Sequence, residues 1–252
     1  MSTTQVLGET PYASPGQPHA SLTGRIDALP ASFGLWSFIT LLSLGGFFEL
    51  YDLFQTGYIS AGLLAEGIFH TGQAGIFGIA DQAAFASATF MGLFIGASLL
   101  APLADKLGRR LTFMFALAWY GVFSLMMALQ SSAEGVIFCR FLVGVGLGIE
   151  LVTIDTYLSE WVPTHLRNKA FAFAFFIQFL SVPAVALMSW MLVPIALFGL
   201  TGWRWVIIFG ALCSLIIWVI RKKLPESARW LEEKGRHEEA HKVMCEMEQR
   251  CG

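Results

Sequence analysis

Ala101-Pro102-Leu103-Ala104-Asp105-Lys106-Leu107-Gly108-Arg109-Arg110 is a short charged break between two long apolar runs, residues 83–103 and 111–129. About 20 apolar residues of helix cross the hydrocarbon of a bilayer, so each run is of spanning length. The break holds three cations, Lys106, Arg109 and Arg110. A tight basic turn between two spanning runs reads as a cytoplasmic loop. It sets the direction of every run before and after it.

The composition supports this. Of 252 residues, 56% are hydrophobic and 13% charged, against about 25% charged in soluble domains. A soluble chain of this length cannot enclose so much apolar surface. Net charge is −2, and nothing points to nucleic acid. Cys139 and Cys213 lie in apolar runs, Cys245 and Cys251 near the end, which is neither a disulfide framework nor a zinc spacing. No cleavable signal peptide is evident. No metal or cofactor is implied, and hydrolytic or redox catalysis has no support.

The chain is expected to be all-α, a polytopic membrane protein with six spans. Residues 1–32 read as a disordered cytoplasmic tail, with a short interfacial helix beginning at Arg25 and Asp27. Residues 33–220 form the bundle and 221–252 a cytoplasmic segment. The first span, 33 to about 60, is long enough to tilt or break, and Gly45-Gly46 offers a place to do so. An external loop follows over 61–82, with early helical turns near 76–80. The second span then runs to Leu103, with Gly92 and Gly96 placed for close helix approach. The third covers 111–129. The fourth, about 136–158, carries Gly144, Gly146 and Gly148. The fifth starts near Ala170 and includes Gln178 and Pro183; the sixth ends near Ile220. Lys106, Arg109, Arg110, Arg167, Lys169, Arg221, Lys222 and Lys223 then lie on one side and Arg204 alone on the other, as the positive-inside rule requires. In the tail, Ser227 caps a helix ending at Gly235, and a second helix aligns Ala240, Val243, Met244 and Met247.

Ionisable groups at membrane depth mark functional sites by default. The first span carries Glu49 and Asp52, the fourth Arg140, Glu150 and Asp155. At about 1.5 Å per residue, Asp52 and Arg140 stand at similar heights, roughly 25 and 27 Å up from the cytoplasmic ends of their antiparallel helices. They form the most economical pair, either responding to substrate and protons or serving as a structural bridge. Glu49 and Glu150 are candidates for a proton-titrated acid, or else packing contacts to neighbouring helices and loop cations. Gln178 can bind substrate or a neighbouring helix. The glycine series is no phosphate loop, since no Lys-Ser/Thr follows it.

Asp105, Lys106, Gly108, Arg109 and Arg110 resemble the signature loop of the major facilitator superfamily of secondary transporters, with Ala101 in place of its leading Gly. Arg140, Gly144, Gly146, Gly148, Tyr157, Glu160, Pro163 and Arg167 resemble the fourth helix and following loop of its sugar-porter and metabolite:proton symporter branches, with Asn168 where a Gly usually follows. Trp203-Arg204-Trp205 resembles the start of their sixth helix. Pro225-Glu226-Ser227-Ala228-Arg229 resembles their Pro-Glu-Ser-Pro-Arg signature with Ala228 in place of the second Pro, and Tyr51-Asp52 is similar to the first-helix Asp of aromatic-acid transporters. The resemblance implies the N-terminal half of a twelve-helix fold, with Asp105, Gly108, Arg109, Arg110, Glu160, Arg167, Glu226 and Arg229 forming the conformational-switch loop. It implies proton-coupled symport of a small organic acid, with sugar uptake, drug efflux or an inactive membrane scaffold as alternatives. The expected partners are a small-molecule substrate, protons, the lipid bilayer and a C-terminal six-helix half.

Overall fold

Phe33–Ala65 forms one helix of 33 residues, α2. Ser32 caps it, its Oγ accepting from the Leu35 amide at 3.4 Å. The helix runs unbroken through Gly45-Gly46 and past the expected end near residue 60. The pair does not bend it. A Cβ on Gly45 would overlap the Arg221 guanidinium, and one on Gly46 would lie 2.7 Å from the Gln178 side chain. The missing side chains make room for two polar groups while the helical hydrogen bonds stay intact. At about 50 Å long, α2 exceeds the hydrocarbon thickness of about 30 Å and must tilt or project beyond it.

The computed structural model describes residues 21–70, 75, 78–100, 102–222 and 224–251. Residues 1–20 of the expected tail lie outside these, as do Ile76, Phe77, Ala101 and Lys223 among residues discussed above. Residues 21–32 are not a disordered tail. The short helix expected there is present but begins earlier, as Leu22–Asp27 (α1), capped by Ser21, and Leu22, Ile26 and Leu29 are buried. Its Arg25 donates to Glu248 at 2.8 and 3.0 Å, and its Asp27 accepts from Thr164. Apolar burial and these bonds fix a segment whose Pro and Gly content reads as loop.

The second span is composite. Asp81–Ile95 (α3) is α-helical and Gly96–Leu100 is a π-helical turn, after which the helix stops short of the expected Leu103. Pro102 explains the stop, because it has no N–H for the Ser98 carbonyl. Leu103–Leu107 (α4) is separate, and Gly108, at φ 106°, turns the chain into Arg109–Ala128 (α5). Ala133–Trp161 (α6) follows, capped by Ser132. The fifth span is Arg167–Phe179 (α7) and Ser181–Leu192 (α8), interrupted at Leu180. Pro183 cannot donate to the Phe179 carbonyl and crowds it, which is sufficient cause. Ala196–Leu197 (β1) and Leu200–Thr201 (β2) make a minimal hairpin outside the all-α pattern. Gly202–Arg221 (α9), Ala228–Glu233 (α10) and His237–Cys251 (α11) complete the chain. Ser227 caps α10, and α11 buries Ala240, Met244 and Met247. Among the described residues five helical stretches are long and apolar enough to cross a membrane. The sixth reaches 20 residues only as α3 plus its π turn.

The helices pack as a bundle. α6 packs on α3 and α5, α5 on α9, α9 on α2, and α2 on α7 and α8. The α3–α6 crossing is built of glycine. A Cβ on Gly144 would lie 2.5 Å from the Thr89 carbonyl, and one on Gly92, Gly96 or Gly148 would press still closer on the carbonyls of Phe141, Val145 and Leu93. Small residues of this kind let backbones approach where lipid supplies no hydrophobic drive. Phe90, Phe94, Phe115, Phe138 and Trp190 are exposed on the outside, the arrangement of a bundle solvated by lipid.

Glu66 clasps the end away from α10 and α11. It accepts from Thr201 Oγ1 (2.6 Å), Trp203 Nε1 (2.5 Å) and Arg204 (2.9 Å), and Arg204 also donates to the Ala128 carbonyl. Burial pushes the Glu66 carboxyl up, but these three donors outweigh it and hold it below its usual value. A carboxyl lowered in the fold stabilises above its unfolded pKa and loses that contribution as pH falls. Glu66→Gln should cost about 1 kcal/mol at neutral pH, since the site is partly exposed. Unfolding midpoints of wild type and variant should converge on acidification; a constant gap would contradict the clasp.

Candidate functional site

Two buried ion pairs and one open cavity bring the intramembrane polar residues together. The first pair joins α2 to α6. Arg140 Nη1 donates to Asp52 Oδ2 at 2.8 Å, and both groups are buried. Arg140 donates through all three nitrogens: besides Nη1, Nη2 reaches the Asp52 carbonyl (2.7 Å) and Thr56 Oγ1 (2.5 Å), Nε reaches Thr89 Oγ1 (3.0 Å), and the guanidinium lies 5.7 Å from the Phe85 ring. Asp52 also accepts from Gln55 Nε2 and from Ser124 Oγ at 3.2 Å. One residue pair thus locks α2, α3, α5 and α6. Moving it requires all four helices to respond, which suits a conformational element.

The second pair lies toward the end bearing α10 and α11. Arg221 Nη1 donates to Glu150 Oε1 at 2.8 Å, and both side chains are 0% exposed. Arg221 Nη2 donates to the Leu42 carbonyl at 2.5 Å, and the guanidinium lies 5.3 Å from the Phe113 ring. Arg221 is therefore not the surface cation the sequence reading made it. It ends α9 and folds back into the space left by Gly45. Lys222 stays at the helix end, its Nζ 3.6 Å from the centre of the Trp218 ring. A sequence signal existed: an intramembrane Glu150 needs a cation, and Arg221 adjoins an apolar run.

The cavity, about 140 Å³, is lined by α2, α6 and α7. Glu49, Asp155 and Gln178 supply its polar groups; Leu50, Leu151, Ile154, Phe175 and Phe179 supply the rest. Glu49 and Gln178 are buried, and Glu49 Oε1 has no hydrogen-bond partner among the described residues. Five residues of helix turn through roughly 140° net, so Asp155 reaches the cavity while Glu150 faces α9. Asp155, which the sequence places in the fourth span without assigning it a role, thereby joins the candidate site.

The residues expected to form a conformational-switch loop gather at the end bearing α10 and α11. Arg109 pairs with Asp105 and, at 3.1 Å, with Glu160. Glu226 accepts from the amides of Arg110 (3.0 Å) and Ser227 (2.9 Å), and Arg110 also donates to the Lys222 carbonyl. A Cβ on Gly108 would lie 2.5 Å from Glu226 Oε2, so Gly is required there for contact as well as for its positive φ. Burial holds the Glu226 carboxyl above its usual value against these donors. Trp230 Nε1 donates to the Asp105 carbonyl and Tyr157 to that of Pro225. Arg167 donates to the Ser159 carbonyl; neither Arg167 nor Arg229 forms a salt bridge among the described residues. Among the described residues no group of three His, Cys, Asp or Glu side chains could hold a metal.

The family model described as "Sugar (and other) transporter" matches residues 38–250. The niacin transporter NiaP of Acinetobacter baylyi is 28% identical, covering 92% of this chain and 50% of its own length. The 4-hydroxybenzoate transporter PcaK of Pseudomonas aeruginosa is 32% identical, covering 85% and 45%. The solved structure of XylE, a major facilitator superfamily proton:xylose symporter, superposes with a TM-score of 0.74 over 84% of this chain and 49% of its own, at 19% identity; that likeness shows the fold. The chain spans about half the length of the curated relatives it matches. The family and its solved neighbours are transporters, not enzymes. By its matched residues the chain belongs to the sugar (and other) transporter family, and its fold is that of about half of the xylose symporter.

Proposed function

We propose that the protein supplies one wall of a proton-coupled symporter for a small organic acid. The single observation that carries this reading is the cavity of Glu49, Asp155 and Gln178 opening beside two buried ion pairs. Polar groups of this kind are costly in hydrocarbon and persist where they line a path. Asp52 with Arg140 is the element that responds to protonation, and Glu49 and Glu150 are the further acids that can carry a proton between the two sides. Loss of charge on Asp52 would release Arg140 and loosen the four helices it ties. The residues around Gly108 hold the bundle closed at one end of the cycle.

That end is cytoplasmic in this reading, with both termini on the same side of the cell membrane. Lys106, Arg109, Arg110, Arg167, Lys169 and Lys222 stand there, and Arg204 at the other end is bound to Glu66. A C-terminal six-helix half closes the path, and rocking of one half against the other gives alternating access. The acid is favoured over a sugar because two relatives that align over most of this chain are named as transporters of niacin and 4-hydroxybenzoate.

Proteoliposomes holding the chain together with a C-terminal half test this. Labelled niacin, 4-hydroxybenzoate and glucose are offered with and without an inward proton gradient. An acid should accumulate, and only with the gradient. Accumulation of glucose alone, or of an acid regardless of the gradient, would overturn the proposal.

A further inference from the structure

We infer that the substrate presents a positively charged nitrogen to this half, seated between Glu49 and Asp155, and turns its carboxylate toward the opposite wall. The inference rests on the transport reading above and adds to it the charge of the group held here. Glu49 is 4% exposed and lines the cavity, and its Oε1 has no hydrogen-bond partner among the described residues. Asp155 lines the same cavity from α6, and Gln178 from α7. Among the described residues no cation lines it. Arg140 donates to Asp52, Thr56 and Thr89, and Arg221 donates through its two Nη groups to Glu150 and the Leu42 carbonyl, its Nε having no partner among the described residues.

A substrate carboxylate entering this wall would meet two acidic side chains, and the cation that acts on Glu49, Arg221, is already paired with Glu150. An ammonium or a protonated heteroaromatic nitrogen would meet charge-assisted acceptors on two helices. Phe175 and Phe179 also border the cavity, and aromatic rings attract a cation placed over them. An organic acid bearing a basic nitrogen therefore fits this half better than a simple hydroxy or aromatic acid.

Calorimetric titration of the whole chain in nanodiscs tests the charge preference, with empty nanodiscs as the blank. The probes are benzylammonium, 4-(aminomethyl)benzoate and benzoate, which share one ring and differ in charge. Both ammonium probes should bind, and benzoate about tenfold more weakly or not at all. Glu49→Gln and Asp155→Asn should each weaken the ammonium probes about tenfold. Asp155 is only partly buried, so its variant should keep the wild-type unfolding midpoint. Benzoate binding as tightly as benzylammonium, no ammonium binding, or Asp155→Asn with unchanged affinity would each overturn the inference. Proteoliposome uptake separates the two levels. Gradient-driven accumulation of benzoate without the amine effect would leave transport standing and remove the charge preference. Amine binding that depends on Asp155, with no uptake of any probe, would do the reverse.

Discussion

Arg221→Ala is expected to cost about 3–5 kcal/mol of stability, the loss found when one partner of a buried ion pair is removed. Glu150 would then lie at 0% exposure with no counter-charge and no route to water. Protonating it would limit the loss but not remove it, since a buried acid without its donor still forfeits about 1–3 kcal/mol. The Leu42 carbonyl would lose its second donor as well, keeping only the helical one. The pair itself need not be worth this much. Replacing both members by apolar residues of similar volume, Glu150→Leu with Arg221→Met, should recover most of the loss, because no uncompensated charge remains. Equilibrium unfolding in mixed micelles reads both variants. A single variant within about 1 kcal/mol of wild type would show that Arg221 does not hold this position.

Gly148→Leu should prevent assembly of the bundle altogether. A Cβ there would already press on the Leu93 carbonyl and lie 2.8 Å from the Ala97 amide nitrogen, both backbone atoms that cannot step aside. Gly92, Gly96 and Gly144 make the crossing equally close along its length, so α3 and α6 must separate along the whole contact. Overpacking a core costs about 1–3 kcal/mol when neighbours can shift; here the neighbours are helix backbones. Gly148→Ala should fold with a lowered unfolding temperature, and Gly148→Leu should give no monodisperse peak on size exclusion. Gly57→Ala is the control. No atom lies within 4 Å of its Cβ position, and replacing a helical Gly should stabilise by up to about 1 kcal/mol.

The spans were legible because their signals are local. Apolar runs of bilayer length and cations clustered between them can be counted along the chain. The pairing of Asp52 with Arg140 was also within reach, because helix rise and antiparallel direction place both at one height. Pro102 and Pro183 were visible, but not whether each would end a helix or interrupt it. Arg221 was harder. It adjoins Lys222 and Lys223 at the end of an apolar run, and only the absent side chain of Gly45, 176 positions earlier by the numbering, lets it turn inward. Asp155 was obscured by Glu150 close by on a different face of α6. The Glu66 clasp gathers Thr201, Trp203 and Arg204 from a loop and helix far along the chain, and no spacing rule connects them. Residues 21–32 misled for a different reason: Pro and Gly content describes a chain by itself, whereas α1 is held by α11 and Thr164.

In the proposed function Asp52 is a proton-responsive group and not a strut. Asp52→Asn keeps the size of the side chain and an acceptor for Arg140, but it can neither carry charge nor gain a proton. The decisive measurement is gradient-driven accumulation of the transported acid in proteoliposomes holding this variant with a C-terminal half, alongside exchange of the same acid across vesicles with no gradient. Accumulation should fall to simple equilibration while exchange continues. Accumulation at the wild-type level would contradict the account.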